Sequence, residues 1–144
     1  MTKYVYLAGP IGNVSLIEAS LWREKATRML RERGVDVKNP LDWEVSSMTP
    51  QELVQSDLDA INQCDVLLAY CPYVMMMGTP MEMVYARGLG IPVVSFGRYK
   101  SPWKTVWSNV ECQDIEEAID AVMLCMPSGE ITKLPVTVEN DGEF

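Results

Sequence analysis

Val66-Leu67-Leu68-Ala69, preceded by Asp65 and followed by Tyr70, is a continuous apolar run near the middle of the chain. A strand with one face in water alternates apolar and polar side chains, whereas a strand buried on both faces is apolar throughout. Strands of the second kind occur in parallel sheets that helices cover on both sides. This run therefore predicts a buried strand of a parallel sheet.

Strand-like and helix-like stretches alternate on either side of this run. The apolar patterns predict further strands over residues 4–8, 35–37 and 91–96, and helices over residues 15–33, 49–62, 79–90 and 114–126. Each predicted helix begins with a Ser, Thr or Asp three residues before a Glu, which is the spacing of a capping box. We expect one α/β domain over residues 1–126, with a parallel sheet and flanking helices in a Rossmann- or flavodoxin-like arrangement. Residues 127–144 would form an acidic tail.

The segments between these elements, residues 41–48 and 97–110, are expected to be loops. In the first helix we expect Arg23 to face water, because the inward apolar stripe consists of Ala19, Trp22, Ala26, Met29 and Leu30.

The composition is that of an ordinary globular protein. The chain has 144 residues, enough for one domain with its own core. Its 12 basic and 20 acidic side chains give a net charge of −8. This charge argues against a surface for nucleic acid polymers, because phosphate backbones require Lys and Arg. The chain contains no histidine, so any catalysis has to use carboxylates, hydroxyls, thiols or amines.

The cysteines and the apolar segments bear on the cellular location. Cys64, Cys71, Cys112 and Cys125 have no CxxC spacing and lie in apolar runs, so we expect buried, reduced thiols. No segment reaches the roughly 20 apolar residues of a membrane span, and the first residues lack the apolar core of a signal peptide. We therefore expect a cytoplasmic protein without membrane contact.

Parallel sheets bind their ligands beyond the carboxyl ends of the strands. In this chain the rule selects three loops, at residues 9–14, 71–79 and 97–110. The turn Gly9-Pro10-Ile11-Gly12 lacks the GxGxxG pattern of a dinucleotide site. It is either a plain strand-to-helix turn or a turn whose amides contact a phosphate or sugar.

Asp57 lies on the apolar side of its predicted helix. The residues one turn away from it are Leu53, Val54, Ala60 and Ile61, so its carboxylate points with the core stripe. Burying a carboxylate costs several kcal/mol unless it is paired or lines a cavity. Asp57 is therefore either a buried ion-pair or capping residue, or a polar contact to a ligand.

Glu82 also has two interpretations. In Thr79-Pro80-Met81-Glu82 it is the acidic partner of a capping box, which is usually structural. The same helix end follows the buried strand, where the fold places a ligand, and its amides favour an ionised carboxylate of the kind a nucleophile needs. Gly78 would allow close approach of a substrate. Tyr6 either only packs on one face of a buried strand, or it places its hydroxyl in this site.

Four motifs follow one another in a defined order over residues 3–110. They are Tyr6-Leu7-Ala8-Gly9-Pro10-Ile11, Asp57-Leu58-Asp59-Ala60-Ile61, Gly78-Thr79-Pro80-Met81-Glu82 and Gly90-Ile91-Pro92-Val93. Together they resemble the nucleoside 2-deoxyribosyltransferase family, which includes hydrolases of nucleoside 5′-monophosphates. The resemblance implies that Glu82 attacks C1′ of the sugar, that Tyr6 orients it, and that Asp57 contacts the substrate. It also implies a substrate site lined by Gly9, Pro10, Ile11, Gly78 and Thr79.

Two positions match the family less closely. Six residues before the nucleophile, the similar transferases carry an Asp, and the similar nucleotide hydrolases carry a phosphate-binding Ser. This chain has Met76 at that position. Ser101 lies near the place where a family polar residue completes the site, often from a neighbouring subunit. The run Met75-Met76-Met77 suggests an adaptable apolar lining rather than a metal site.

The resemblance implies an enzyme without metal or cofactor that cleaves the N-glycosidic bond of a nucleoside or nucleotide through a glycosyl ester of Glu82. We expect a homo-oligomer that transfers the sugar to a second base. Two alternatives stay open: hydrolysis of nucleoside 5′-monophosphates, and a non-catalytic protein that binds nucleotides. Met76 favours the non-catalytic alternative, whereas the intact set of Glu82, Asp57 and Tyr6 opposes it.

Overall fold

The computed structural model describes residues 1–43, 45–73 and 77–127. Within these ranges the chain forms β1 (Tyr4–Ala8), α1 (Leu16–Glu32), β2 (Asp36–Lys38), α2 (Pro50–Asn62), β3 (Val66–Tyr70), α3 (Gly78–Gly88), β4 (Val93–Phe96), α4 (Pro102–Trp107), β5 (Val110–Cys112) and α5 (Ile115–Cys125). Two short 3-10 turns, Pro40–Asp42 and Val45–Ser47, follow β2. Apart from Pro127, the predicted tail lies outside the described residues.

The five strands are parallel and lie in the order β2-β1-β3-β4-β5. This is the strand order of flavodoxin-like folds, so the predicted α/β fold is confirmed. β3 lies in the middle, with Leu68 opposite Leu7 of β1 on one side and opposite Val94 of β4 on the other. The apolar run of β3 fills the centre of the sheet, since each residue from Val66 to Ala69 is 0% exposed.

Helices cover both faces of this sheet. α1 and α5 pack on one face, and α2 and α3 pack on the other. The four cysteines are buried, and none of them forms a disulfide. Within the described ranges, no helix is both long enough and apolar enough to cross a bilayer.

The segment at residues 97–110 differs from its prediction as a loop. It contains α4, which Ser101 caps by accepting a hydrogen bond of 3.1 Å from the Lys104 amide, and it leads directly into β5. A helix of six residues and a strand of three are too short for their periodicity to be visible in a sequence. The segment at residues 41–48 likewise contains most of the two 3-10 turns.

Arg23 of α1 requires a second correction. It was predicted to face water, yet it is 1% exposed and belongs to the buried side of the helix together with Ala19, Ala26 and Leu30. Arg23 lies four residues after Ala19 and seven before Leu30, so the helical period itself places it on the inner face. The prediction followed the charge of the side chain and neglected its position.

Candidate active site

A cleft of about 610 Å³ opens beyond the carboxyl end of β1. In the sheet, β2 lies beside β1 toward one edge, and β4 lies beside β3 toward the other edge. The direction in which successive strands are added therefore reverses between β1 and β3, and folds of this type bind ligands at such a reversal. The cleft is lined by the turn at residues 9–13, by apolar side chains that follow β2, by Asp57 of α2 and by the start of α3. Its volume lies in the usual range of small-molecule sites.

The Tyr6 hydroxyl donates a hydrogen bond to Oε2 of Glu82, one of the side chains that line the cleft. Tyr6 belongs to β1 and is fully buried, and Glu82 belongs to α3. Burial and the neighbouring Glu82 carboxylate raise the pKa of Tyr6, so its hydroxyl keeps its proton. The hydrogen bond therefore has one direction, from the tyrosine to the carboxylate.

Glu82 is a partly buried side chain whose charge is only partly compensated. Burial raises the pKa of Glu82 to about 7; the Tyr6 hydrogen bond and Arg23 oppose this rise, and the Asp57 carboxylate adds to it. The expectation that the ionised carboxylate is favoured here is therefore wrong, because burial disfavours the charge of Glu82 more than the Tyr6 hydrogen bond and Arg23 favour it. At neutral pH the protonated and the ionised forms of Glu82 coexist.

The capping box predicted at Thr79 and Glu82 does not form. α3 begins at Gly78, its N-cap residue Met77 makes no side-chain hydrogen bond, and Thr79 is buried within the first turn. Glu82 therefore lies past the first turn, and its carboxylate contacts Tyr6 of β1. Capping does not explain why a glutamate occupies this partly buried position.

Asp57 is half-buried and lines the same cleft as Glu82. Its Oδ1 accepts a hydrogen bond of 2.7 Å from the indole Nε1 of Trp43. Burial raises the pKa of Asp57, and the Trp43 hydrogen bond and Arg23 limit that rise. Of the two interpretations of Asp57, the ion pair is not observed, because no salt bridge among the described residues involves it.

The turn after β1 packs closely against α1. A Cβ atom at Gly9 would lie 2.6 Å from the Trp22 ring, so no larger residue fits there without a shift of the indole. Asn13 adopts a left-handed φ of 63°, which Asn tolerates better than most residues. Residues 9–13 all line the cleft, so this turn forms one of its walls.

The other predicted site residues lie in different places. Gly78 and Thr79 line the cleft beside Glu82. Ser101 caps α4 and is absent from the described lining of the cleft. Met76 lies outside the described residues.

The apolar lining expected from the methionine run comes partly from other residues. Met77 lines the cleft, whereas Met75 lies outside the described residues as Met76 does. The remaining apolar wall consists of Pro40, Leu41, Val45 and Leu53. The described part of the chain has no group of three or more His, Cys, Asp or Glu side chains placed to hold a metal ion.

The family model of nucleoside 2-deoxyribosyltransferase matches residues 5–139. The chain belongs to this family. A search of curated protein sequences gives no match. Among solved structures, a CMP N-glycosidase from Clostridium botulinum, BcmB, is similar with a TM-score of 0.60 and 25% identity, covering 85% of this chain and 99% of that one. A 2-deoxyribosyltransferase from Leishmania mexicana has the same fold, with a TM-score of 0.59 and 19% identity over 97% of this chain and 80% of that one.

The raised pKa of Glu82 predicts a stability that depends on pH. Between the ordinary glutamate pKa of 4.5 and the native pKa of about 7, the folded protein binds more protons than the unfolded chain. Stability contributed by this group therefore falls as pH rises through that window. Glu82→Gln removes the titration, so we expect the variant to gain stability over wild type between about pH 5 and about pH 8, by about 1.4 kcal/mol per unit of pKa difference.

Urea unfolding at both pH values measures this gain. Glu52→Gln is the control, because hydrogen bonds from Thr49 lower the pKa of the exposed Glu52 carboxylate. Glu52 therefore titrates below this pH range, and the stability difference between wild type and Glu52→Gln should not change across it. A constant stability difference between wild type and Glu82→Gln over this range would contradict the raised pKa.

Proposed function

We propose that this protein cleaves the N-glycosidic bond of a nucleoside or deoxynucleoside through a glycosyl ester of Glu82 and transfers the sugar to a second base. The partly buried hydrogen bond from Tyr6 to Glu82, at the wall of a cleft of nucleoside size, is the observation that carries the proposal. Membership of the nucleoside 2-deoxyribosyltransferase family supports it. The family model describes nucleoside 2-deoxyribosyltransferases, and one similar solved structure is a CMP N-glycosidase.

Glu82 supplies the nucleophile in this proposal. Its Oε2 accepts the Tyr6 hydrogen bond, and no described residue donates to Oε1, which leaves Oε1 available to attack C1′ of the sugar. The C1′–O bond forms while the C1′–N bond breaks, and the electron pair of the broken bond leaves with the base. The sugar is cationic in the transition state, so the carboxylate charge stabilises it.

Asp57 is the group that gives a proton to the departing base. Burial raises its pKa, so its protonated form persists to higher pH than in an exposed aspartate. In the second half of the reaction an acceptor base attacks C1′ of the ester, Glu82 leaves as a carboxylate, and the proton of the acceptor returns to Asp57. Two displacements at C1′ give net retention of configuration.

Transfer requires that the glycosyl ester survives until an acceptor base arrives. The apolar wall formed by Leu41, Val45, Leu53 and Met77 offers little to hold an ordered water and much to contact a flat base. This wall therefore favours transfer over hydrolysis.

Hydrolysis of a nucleoside 5′-monophosphate is the second candidate function. The similar structure of a CMP N-glycosidase, matched over 99% of its own length, favours it. The turn at residues 9–13 also offers backbone amides at the cleft, and such amides bind phosphate groups well.

We further propose that the enzyme is a homo-oligomer in which Ser101 completes the cleft of a neighbouring subunit. α3 and α4 share an apolar hollow lined by Val84 and Trp103. Trp103 is 72% exposed, and on α3 Val84 is 40% and Met81 is 63% exposed. Exposed apolar area of this kind is typical of a protein interface. Ser101 immediately precedes α4 and so lies at the border of this surface.

Glu82→Ala is expected to lower the rate of base release and base exchange by at least about 10³-fold, because the nucleophile is lost. Unfolding should stay cooperative, since no capping bond is removed. The assay incubates the protein with each nucleoside and 5′-monophosphate, with and without a free base, and separates the products by chromatography. Glu52→Ala, which removes an exposed carboxylate of α2, is the matched control and should keep wild-type rates.

The same assay separates the candidate functions. Faster substrate consumption with a free base, and a new nucleoside of unchanged anomeric configuration, would establish transfer. Release of base alone, with no effect of the acceptor, would establish hydrolysis. Unchanged activity in Glu82→Ala, or no turnover of any substrate by wild type, would contradict both.

Trp103→Glu tests the oligomer. We expect wild type to form a dimer or larger assembly in light scattering at micromolar concentration, and the variant to dissociate because the charge would be buried at the interface. A monomeric wild type would contradict the proposal, and so would a variant that dissociates and keeps full activity.

A further inference from the structure

Arg23 is a buried cation directly behind the first strand. Its guanidinium donates hydrogen bonds to the carbonyl oxygens of Ala19 at 3.1 Å, of Leu7 at 3.3 Å and of Gly9 at 3.1 Å. Leu7 belongs to β1, and Gly9 begins the turn that forms one wall of the cleft. Arg23 therefore connects α1 to the strand that carries Tyr6 and to the cleft wall.

A buried guanidinium usually pairs with a carboxylate. Among the described residues Arg23 takes part in no salt bridge, and its Nε has no hydrogen-bond partner. The Trp22 ring lies below its charge, with 4.7 Å between the guanidinium carbon and the ring centroid. Three carbonyls and one ring compensate a buried charge only in part.

The remaining compensation comes from the acidic groups of the cleft. Burial lowers the pKa of Arg23 to about 10, whereas Tyr6, Glu82 and Asp57 raise it, so the side chain stays charged at neutral pH. The groups that act on the Glu82 carboxyl come from three elements: Tyr6 from β1, Asp57 from α2 and Arg23 from α1. Of these three, Arg23 is the one positive charge.

We propose that Arg23 is a positioning residue, which fixes the turn after β1 through its carbonyl contacts and supplies from behind the strand the positive charge that balances the Glu82 and Asp57 carboxylates. It touches no substrate and acts through Glu82. This role rests on the proposed function, because it concerns how the carboxylate charge of Glu82 is stabilised. Its first test does not require turnover.

Three variants separate the charge of Arg23 from its hydrogen bonds. Arg23→Gln keeps a donor for the carbonyls and removes the charge, and Arg23→Lys keeps the charge and loses the planar fork. Arg28→Gln removes an exposed charge from the same helix and is the control. The readout is the carboxyl carbon shift of Glu82 in the full chain, followed by NMR as a function of pH.

We expect the pKa of Glu82 to rise by roughly one unit or more in Arg23→Gln, and to stay close to wild type in Arg23→Lys and Arg28→Gln. The acid limb of kcat/KM should move by the same amount in Arg23→Gln. An unchanged Glu82 titration in folded Arg23→Gln would overturn the proposal. Titrations that shift as expected in a protein without turnover would support Arg23 and contradict the proposed function alone.

Folding itself provides a second test if Arg23→Gln is unstable. The proposal expects the variant to lose its fold above about pH 7, where Glu82 ionises, and to regain it near pH 5, where Glu82 is protonated. Adding Glu82→Gln to Arg23→Gln should restore folding at the higher pH. A variant that stays unfolded at both pH values, and that Glu82→Gln does not rescue, would mean that Arg23 acts only through its carbonyl contacts.

Discussion

The hydrogen bond from the buried Tyr6 hydroxyl to the partly buried Glu82 carboxyl is the interaction on which the rest of the site depends. It joins β1 to α3 at the point where the strand order reverses, so the same contact that ties a helix to the sheet also fixes a carboxylate at the cleft. A carboxyl group in this position loses most of its hydration, and its charge needs compensation. The fold supplies that compensation from two sides, by the tyrosine hydroxyl and by the guanidinium of Arg23, and leaves the pKa of Glu82 at about 7.

The two carboxyl groups of the cleft have different surroundings. Glu82 accepts its hydrogen bond from a buried hydroxyl, and Asp57 accepts one from the indole of Trp43. Burial raises the pKa of both, and the Asp57 carboxylate raises the pKa of Glu82 further. In the proposed reaction Glu82 acts in its ionised form and Asp57 in its protonated form, which is the pair that nucleophilic attack and protonation of a leaving base require.

The sequence predicted the sheet and the acidic residues of the cleft for physical reasons that apply locally. A continuous apolar run predicts a buried strand, and the spacing of Asp57 to Leu53 and Ile61 places its carboxylate toward the core. The expectation that Arg23 faces water rests on its charge, whereas its helical position places it on the inner face of α1. The hydrogen bond from Trp43 and the apolar wall of Leu41, Val45 and Leu53 join residues that only the tertiary fold brings together. The false capping box at Thr79 shows that a four-residue pattern cannot reveal a partner on a distant strand.

The most direct test of Glu82 as the nucleophile is a search for its glycosyl ester. The protein is mixed with the substrate it consumes, without an acceptor base, quenched in acid and digested, and the peptides are weighed by mass spectrometry. The account predicts one added glycosyl group on the peptide that contains Glu82, which disappears when an acceptor base is added before the quench. Turnover without any modified peptide, or a glycosyl group on a different residue, would contradict it.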